Sequence, residues 1–294
     1  MKTYSSYQKD FMRFCAELEV PHYPASDVTV ADYLIHLVEE RKLARGTIND
    51  VATSAIADFH RFDDNLNPQR SALVRNVKKA VVRLTSAPKE KRPLKADTLK
   101  KIHDAMDLST FVNIRDYFMF LLCYKGFLRQ SECSRLEPGN VWLDVIDVKG
   151  VQTPVLFIFV VMKKNDQGKF GHTIVLGADD EKWKCPLTWF TLYNNAVKQR
   201  KPHNRSAFFF RDRGEQSGLC DKHVNSGLKR ACKEAGIPVT QFSSHCFRTG
   251  GVTAAIEAGI ELRLIARHGD WKSSAIFRYI KDDFAKLLAV SKAI

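Results

Sequence analysis

The sequence predicts two domains: an all-α N-terminal bundle, then a mainly helical α+β domain with a small antiparallel sheet. Three observations point there. The chain has 294 residues, which suits two domains of ordinary size better than one. Residues 1–84 place apolar side chains at three- and four-residue steps and show no strand pattern. Beyond a basic, proline-containing stretch, β-rich runs alternate with helical segments. Hydrophobic residues at 45% and charged residues at 27% make both parts globular rather than disordered.

The elements follow in order. Tyr4, Tyr7, Phe11, Phe14 and Leu18 form one helix face, and Pro21 and Pro24 end that helix. A second helix starts near Thr29, its expected N-cap, and runs to Val38. A third opens at Gly46-Thr47 and turns Ile48, Val51, Ala55, Ile56 and Phe59 inward, and a fourth covers about Ser71 to Leu84. Ala87-Pro88-Lys89-Glu90-Lys91-Arg92-Pro93-Leu94-Lys95 reads as a basic linker that could follow a phosphate backbone, or simply be solvated. Later come helices near 97–106 and 111–125, strands at 141–145, 155–162 and 172–176, and helices from about 186 onward. The last two strands are expected to join through a turn at Asn165-Asp166-Gln167-Gly168. The division expected is therefore 1–87, a linker at 88–96, and 97–294.

Charge and composition narrow the function. A formal net charge of +13 predicts attraction to a polyanion, of which nucleic acid is the commonest. The sequence holds no apolar stretch long enough to span a bilayer, and its first residues lack the apolar core of a secretory signal. Seven cysteines, an odd number with no C-x-x-C pair, read as buried thiols of a reduced intracellular protein. The nine histidines show no metal-ligand spacing, so no metal or cofactor is expected.

Four separated clusters carry reactive side chains. In Gly126-Phe127-Leu128-Arg129-Gln130-Ser131-Glu132, an arginine follows a buried helix, with Glu132 placed to hold it. Lys163-Lys164 lie at the expected hairpin tip, where a lysine can reach a phosphate or donate a proton. His245-Cys246-Phe247-Arg248 puts a proton carrier and an oxygen clamp on one helix face. Trp271 and Tyr279 close the series. Each cluster alone has an ordinary structural explanation: an ion pair, a solvated lysine, a chance H-x-x-R, a core tyrosine.

Together, the order Arg129, Lys164, His245-x-x-Arg248, Trp271, Tyr279 resembles the tyrosine recombinases, also called the phage integrase family. The resemblance extends over nearly the whole chain. Residues 1–84, with Thr47-Ile48 and Phe59-His60, look like the helical core-binding (SAM-like) domain that clamps DNA. Lys91-Arg92-Pro93-Leu94 looks like the entry to the tyrosine-recombinase catalytic domain. Trp271-Lys272-Ser273 and Arg278-Tyr279-Ile280 look most like recombinases of eukaryotic mobile elements, the DIRS-like and crypton groups. Two departures stand out. Phe247 replaces the usual leucine. The family's second His or Trp commonly lies nine residues before the tyrosine, where this chain has Asp270; Trp271 is eight before it and His268 eleven, so the slot stays open among the three.

The resemblance implies a site-specific recombinase that cleaves and rejoins DNA through a 3′-phosphotyrosine, without cofactor or metal. Tyr279 would be the nucleophile, Arg129 and Arg248 the clamps on the phosphate oxygens, and Lys164 the general acid, with Lys163 the alternative. His245 would move the tyrosine's proton, Trp271 would pack on the phosphate, and Glu132 would orient a neighbour. Lys89, Lys91, Arg92, Lys95 and Lys163 would contact DNA. The implied partner is double-stranded DNA, held by a homotetramer on two sites. A C-terminal helix with Phe284, Leu287, Leu288 and Ile294 would join protomers, or fold back on its own domain. Such a protein works inside the cell with its DNA, in the nucleus of a eukaryote or the cytoplasm and nucleoid of a prokaryote. The rival readings are a type IB topoisomerase, a domesticated DNA-binding protein that no longer cuts, and a metal nuclease.

Overall fold

The computed structural model describes residues 2–62, 67–86, 91–161, 171–201, 206–212 and 218–279. The chain divides into two compact units, Met1–Glu90 and Lys91–Ile294. The hairpin-tip lysines Lys163 and Lys164, the turn at 165–168, Lys89, and the C-terminal stripe from Phe284 to Ile294 lie outside the described residues.

In the first unit, α1 (Lys2–Glu17) packs on α3 (Thr53–Phe59), and α2 (Asp27–Glu39) packs on α4 (Ala72–Leu84). A π-helical turn over Thr47–Ala52 leads into α3. Phe11, Tyr33, Leu34, Leu37, Ile48, Ile56 and Val74 fill the core between them. The second helix begins earlier than the sequence suggests. Ser26, not Thr29, is its N-cap, because the Ser26 hydroxyl accepts the Thr29 N–H and leaves Thr29 buried in the first turn. His60 is fully buried. Its Nε2 accepts the Ala25 N–H, so its Nδ1 donates to the Ile56 carbonyl.

In the second unit, residues 91–95 lead without regular secondary structure into α5 (Ala96–Ala105). The core forms around α6 (Phe111–Lys125), a helix apolar on nearly all sides and flanked by α8 (Pro186–Arg200), α9 (His223–Glu234) and α10 (His245–Glu257). Short α7 (Gln130–Ser134) follows α6, and α11 (Leu262–His268) follows α10. Inside this core the Asp116 carboxylate is wholly buried and meets Arg115, His223 and Arg230. Burial alone would raise its pKa, but these partners hold it below the ordinary carboxylate value.

The sheet has three antiparallel strands in the order β1 (Val141–Val148), β2 (Val151–Val160), β3 (His172–Gly177). Val141 pairs with Ile158 and Val160 with His172, so the buried row is Val141, Ile158 and Ile174. The first two strands are longer than the sequence suggests. They meet at a two-residue turn, Lys149-Gly150, with φ of 56° and 82°. Pro154, which reads as a strand breaker, pairs with Val145 where β2 has no neighbour on its other side.

Candidate active site

Three backbone features build the site before any side chain enters. Gly250 and Gly251 lie side by side in α10. A Cβ on Gly250 would come within 1.9 Å of the Leu94 carbonyl, and one on Gly251 within 2.0 Å of the Tyr124 carbonyl. Both approaches are open only to glycine, and they bring the basic segment and the end of α6 against the helix that carries His245 and Arg248. Leu94 N–H donates to the Cys246 carbonyl at 3.0 Å and Arg92 N–H to the Gln241 carbonyl at 3.3 Å. Lys91, Arg92 and Lys95 are thereby exposed along the start of α10, with the Lys91 ammonium on the Thr240 carbonyl. The third feature is Phe127, buried at φ 51°, a left-handed conformation costly for a bulky residue. It turns its carbonyl toward Arg248.

Arg129 caps α7. The Glu132 carboxylate accepts the Arg129 N–H at 2.8 Å and its guanidinium at 2.5 Å. Glu132 is buried while the Arg129 side chain is 41% exposed, so the carboxylate fixes a guanidinium that still faces outward.

Arg248 is 2% exposed. It donates to the carbonyls of Phe127 and Gly269, the latter at 3.0 Å. The Trp271 ring lies over its guanidinium, 3.9 Å from ring centre to Cζ. Its Nε is buried with no hydrogen-bond acceptor among the described residues. Burial and the neighbouring Arg129 charge lower its pKa, against the opposing influence of Tyr279 and Glu132. Two guanidiniums thus stand close enough to repel each other, which favours an anion between them. Below Arg248, Phe247 is fully buried and stacks on Phe120 at 4.9 Å, which accounts for an aromatic residue at that position.

Tyr279 ends a 3₁₀ helix, Ser274–Tyr279, anchored by buried Ile276 in a small apolar cluster with Phe127, Val252 and Ile265. Its hydroxyl lies 3.3 Å from His245 Nε2, and the two rings are 5.6 Å apart. His245 as a residue is exposed, yet its ring is desolvated. That desolvation, with the charges of Arg248 and Arg129, holds its pKa below the ordinary 6.5. At neutral pH the imidazole is therefore uncharged and able to take a proton.

The three residues considered for the His/Trp slot are now distinguished by position. Asp270 sits at φ 52° and turns the chain so that Trp271 packs edge-on against Tyr279 at 5.2 Å as well as over Arg248. His268 points elsewhere: its Nε2 donates to the Lys125 carbonyl at 2.8 Å, and its ring packs on Phe127. The Asp270 carboxylate faces His172 at 4.0 Å.

Tyr279, His245, Arg248, Arg129, Glu132 and Trp271 are therefore gathered in one place. The sequence alone assigns no role to Gly250-Gly251, Gly269 or His172. Only the glycine pair leaves a signal, since two glycines inside a helix carry a cost that close packing must offset. A cavity of about 540 Å³ lined by Arg115, Arg211, Cys220 and His223 shares none of the gathered residues. Among the described residues, no group of His, Cys, Asp or Glu is arranged to hold a metal ion, and no helix is long and apolar enough to cross a membrane.

This fold and this set of side chains define a DNA strand-breaking and rejoining enzyme of the tyrosine recombinase class. Residues 92–285 match the Phage integrase family, more than half of the chain, and the chain belongs to that family. It is 25% identical over 287 residues to an integrase/recombinase, a XerD homolog of Selenomonas ruminantium, covering 96% of this chain and 81% of the relative. Two solved structures share the fold at 15% identity. One is the XerH site-specific recombinase bound to its difH substrate in a pre-cleavage complex, with a TM-score of 0.61 over 91% of this chain and 70% of the other. The second is the Tn1549 transposon integrase in complex with transposon right-end DNA, with a TM-score of 0.61 over 99% and 93%.

Proposed function

We propose that this chain carries out site-specific recombination through a 3′-phosphotyrosine, with Tyr279 as nucleophile. The observation that carries the reading is the Tyr279 hydroxyl 3.3 Å from an imidazole held neutral beside two arginines. In the cleavage step the Tyr279 oxygen bonds to phosphorus as its proton passes to His245. The bond from phosphorus to the 5′ oxygen breaks, and Lys164 protonates that oxygen, with Lys163 the alternative donor. Arg129 and Arg248 offset the charge that grows on the non-bridging oxygens. A phosphate oxygen would also supply the acceptor that the buried Arg248 Nε lacks, a deficit worth about 1–3 kcal/mol. Trp271 packs against the phosphate, and Glu132 holds Arg129. The phosphotyrosine keeps the phosphodiester's energy, so a 5′ hydroxyl from a second strand can reverse the step.

Duplex DNA is the partner, gripped by two functional domains, residues 1–87 and 97–294, with the basic segment 88–96 between them. Lys89, Lys91, Arg92, Lys95 and Lys163 contribute phosphate contacts. Four protomers on two sites, joined through the C-terminal segment, would make the exchange reciprocal. The protein then works wherever its DNA resides, in nucleus or nucleoid.

The test is a nicked suicide duplex containing the target, incubated with wild type and with Tyr279→Phe. The reading expects a covalent adduct with wild type only, and DNA binding by both. An adduct with Tyr279→Phe, or none with wild type on a duplex it binds, overturns it.

A further inference from the structure

Trp271 touches both Arg248 and Tyr279, yet it hangs from a loop and not from a helix or strand. Three features hold that loop. The first is Gly269. A Cβ built there would lie 1.8, 2.4 and 2.6 Å from three carbons of the indole's six-membered ring. The ring of Trp271 therefore occupies the space that a side chain at position 269 would need. No other residue at 269 leaves the ring where it is.

The second feature is the way α11 ends. Gly269 N–H bonds to the Ile265 carbonyl at 3.0 Å, and Trp271 N–H reaches back to the Ala266 carbonyl at 2.9 Å. Asp270 at φ 52° makes that return possible. The third feature is a pair of histidines. His172, the first residue of β3, places Nε2 3.1 Å from the His268 carbonyl. A carbonyl only accepts, so Nε2 carries the hydrogen. His268 in turn donates to the Lys125 carbonyl at the end of α6. The loop is thus tied to β3, to α6 and, through the Gly269 carbonyl, to Arg248 itself.

We propose that Gly269 and His172 are positioning residues that seat Trp271 on Arg248 and Tyr279. The proposal rests on the site reading above. It adds that the arginine's planar guanidinium is kept in place by a ring lodged over a glycine, and that a histidine from the sheet locks the loop bearing that ring. Neither residue touches the reacting atoms; each acts through Trp271.

The test uses the full chain and two readouts. The chain has four tryptophans, Trp142, Trp183, Trp189 and Trp271, hence four indole N–H signals in a ¹⁵N–¹H spectrum. Trp271→Phe assigns the relevant one. Gly269→Ala is expected to move the Trp271 signal and leave the other three, because only the indole must shift to admit the methyl. His172→Phe is expected to do the same, while His172→Gln, which keeps an N–H donor, restores the signal.

The second readout is single-turnover cleavage of the suicide duplex beside equilibrium DNA binding. Gly269→Ala should slow cleavage by about tenfold or more with binding little changed. In a Trp271→Phe background the same change should cost much less, since coupled neighbours are non-additive. An unmoved Trp271 signal in Gly269→Ala, or an equal cleavage loss in both backgrounds, overturns the proposal. A wild type that forms no adduct would instead strike the site reading, and the indole spectra would still judge the seat of Trp271.

Discussion

Single side chains set the chemistry, and the two arginines do different work. Arg129 faces outward on a carboxylate strut, whereas Arg248 is sunk in the protein with both terminal nitrogens on backbone carbonyls. On the proposed mechanism, removing Arg248 deletes a preorganised charge beside the scissile phosphate. Arg248→Ala is expected to slow single-turnover cleavage by about a hundredfold to a thousandfold. Its effect on DNA affinity should be small, because exposed lysines and arginines dominate phosphate binding. Equal losses in rate and affinity, measured on one duplex, would make Arg248 a binding residue only. On the same proposal, His245 sets the pH response of cleavage. Desolvation and the charges of Arg248 and Arg129 lower its pKa, so protonating it takes more acid than an ordinary histidine requires. Cleavage should therefore hold level through neutrality and fall only below pH 6.5, the ordinary value. An acid limb centred above that value in a rate–pH profile would exclude His245 as the proton acceptor.

At the scale of elements, α10 is the structural keystone, since its glycine pair lets two backbone segments press against it. Gly250→Ala forces a methyl into the Leu94 carbonyl and should destabilise the second unit by about 1–3 kcal/mol in denaturant unfolding. A neutral result would show that the 91–95 segment can move aside at no cost. The same scale shows what could be read without coordinates. Helices with a strong apolar signal can be read directly: α1 in the spacing of Phe11, Phe14 and their neighbours, and the core helix α6 in the unbroken run from Tyr117 to Leu122. The β1–β2 hairpin extends beyond the expected strands at 141–145 and 155–162: Lys149-Gly150 forms its turn, and Pro154 pairs with Val145 where β2 has no partner on its other side. The start of α2 was misplaced because Ser26 and Thr29 are both acceptable caps, and only the backbone geometry selects Ser26. Within the site, residues with reactive groups stand out in the sequence. Gly269 and His172 do not, because Gly269 acts by the space it leaves for the Trp271 ring and His172 by a bond to the His268 carbonyl, far away in the chain.

For the whole molecule, the position of Tyr279 bears on how protomers of the proposed tetramer would share the work. The tyrosine meets His245 and Trp271 of its own chain, so a single chain brings these three groups together. Mixing Tyr279→Phe with Arg248→Ala protein is therefore expected to restore no cleavage. Recovery in the mixture would mean that the nucleophile is donated between protomers. The formal charge of +13 adds a general attraction for DNA that weakens as salt rises. The most direct measurement of the central claim is mass spectrometry of the peptide that stays attached to DNA after cleavage of a suicide duplex. The account expects a phosphodiester bond on the Tyr279 side chain, joined to a 3′ end. Attachment to any other residue, or to a 5′ end, would contradict it.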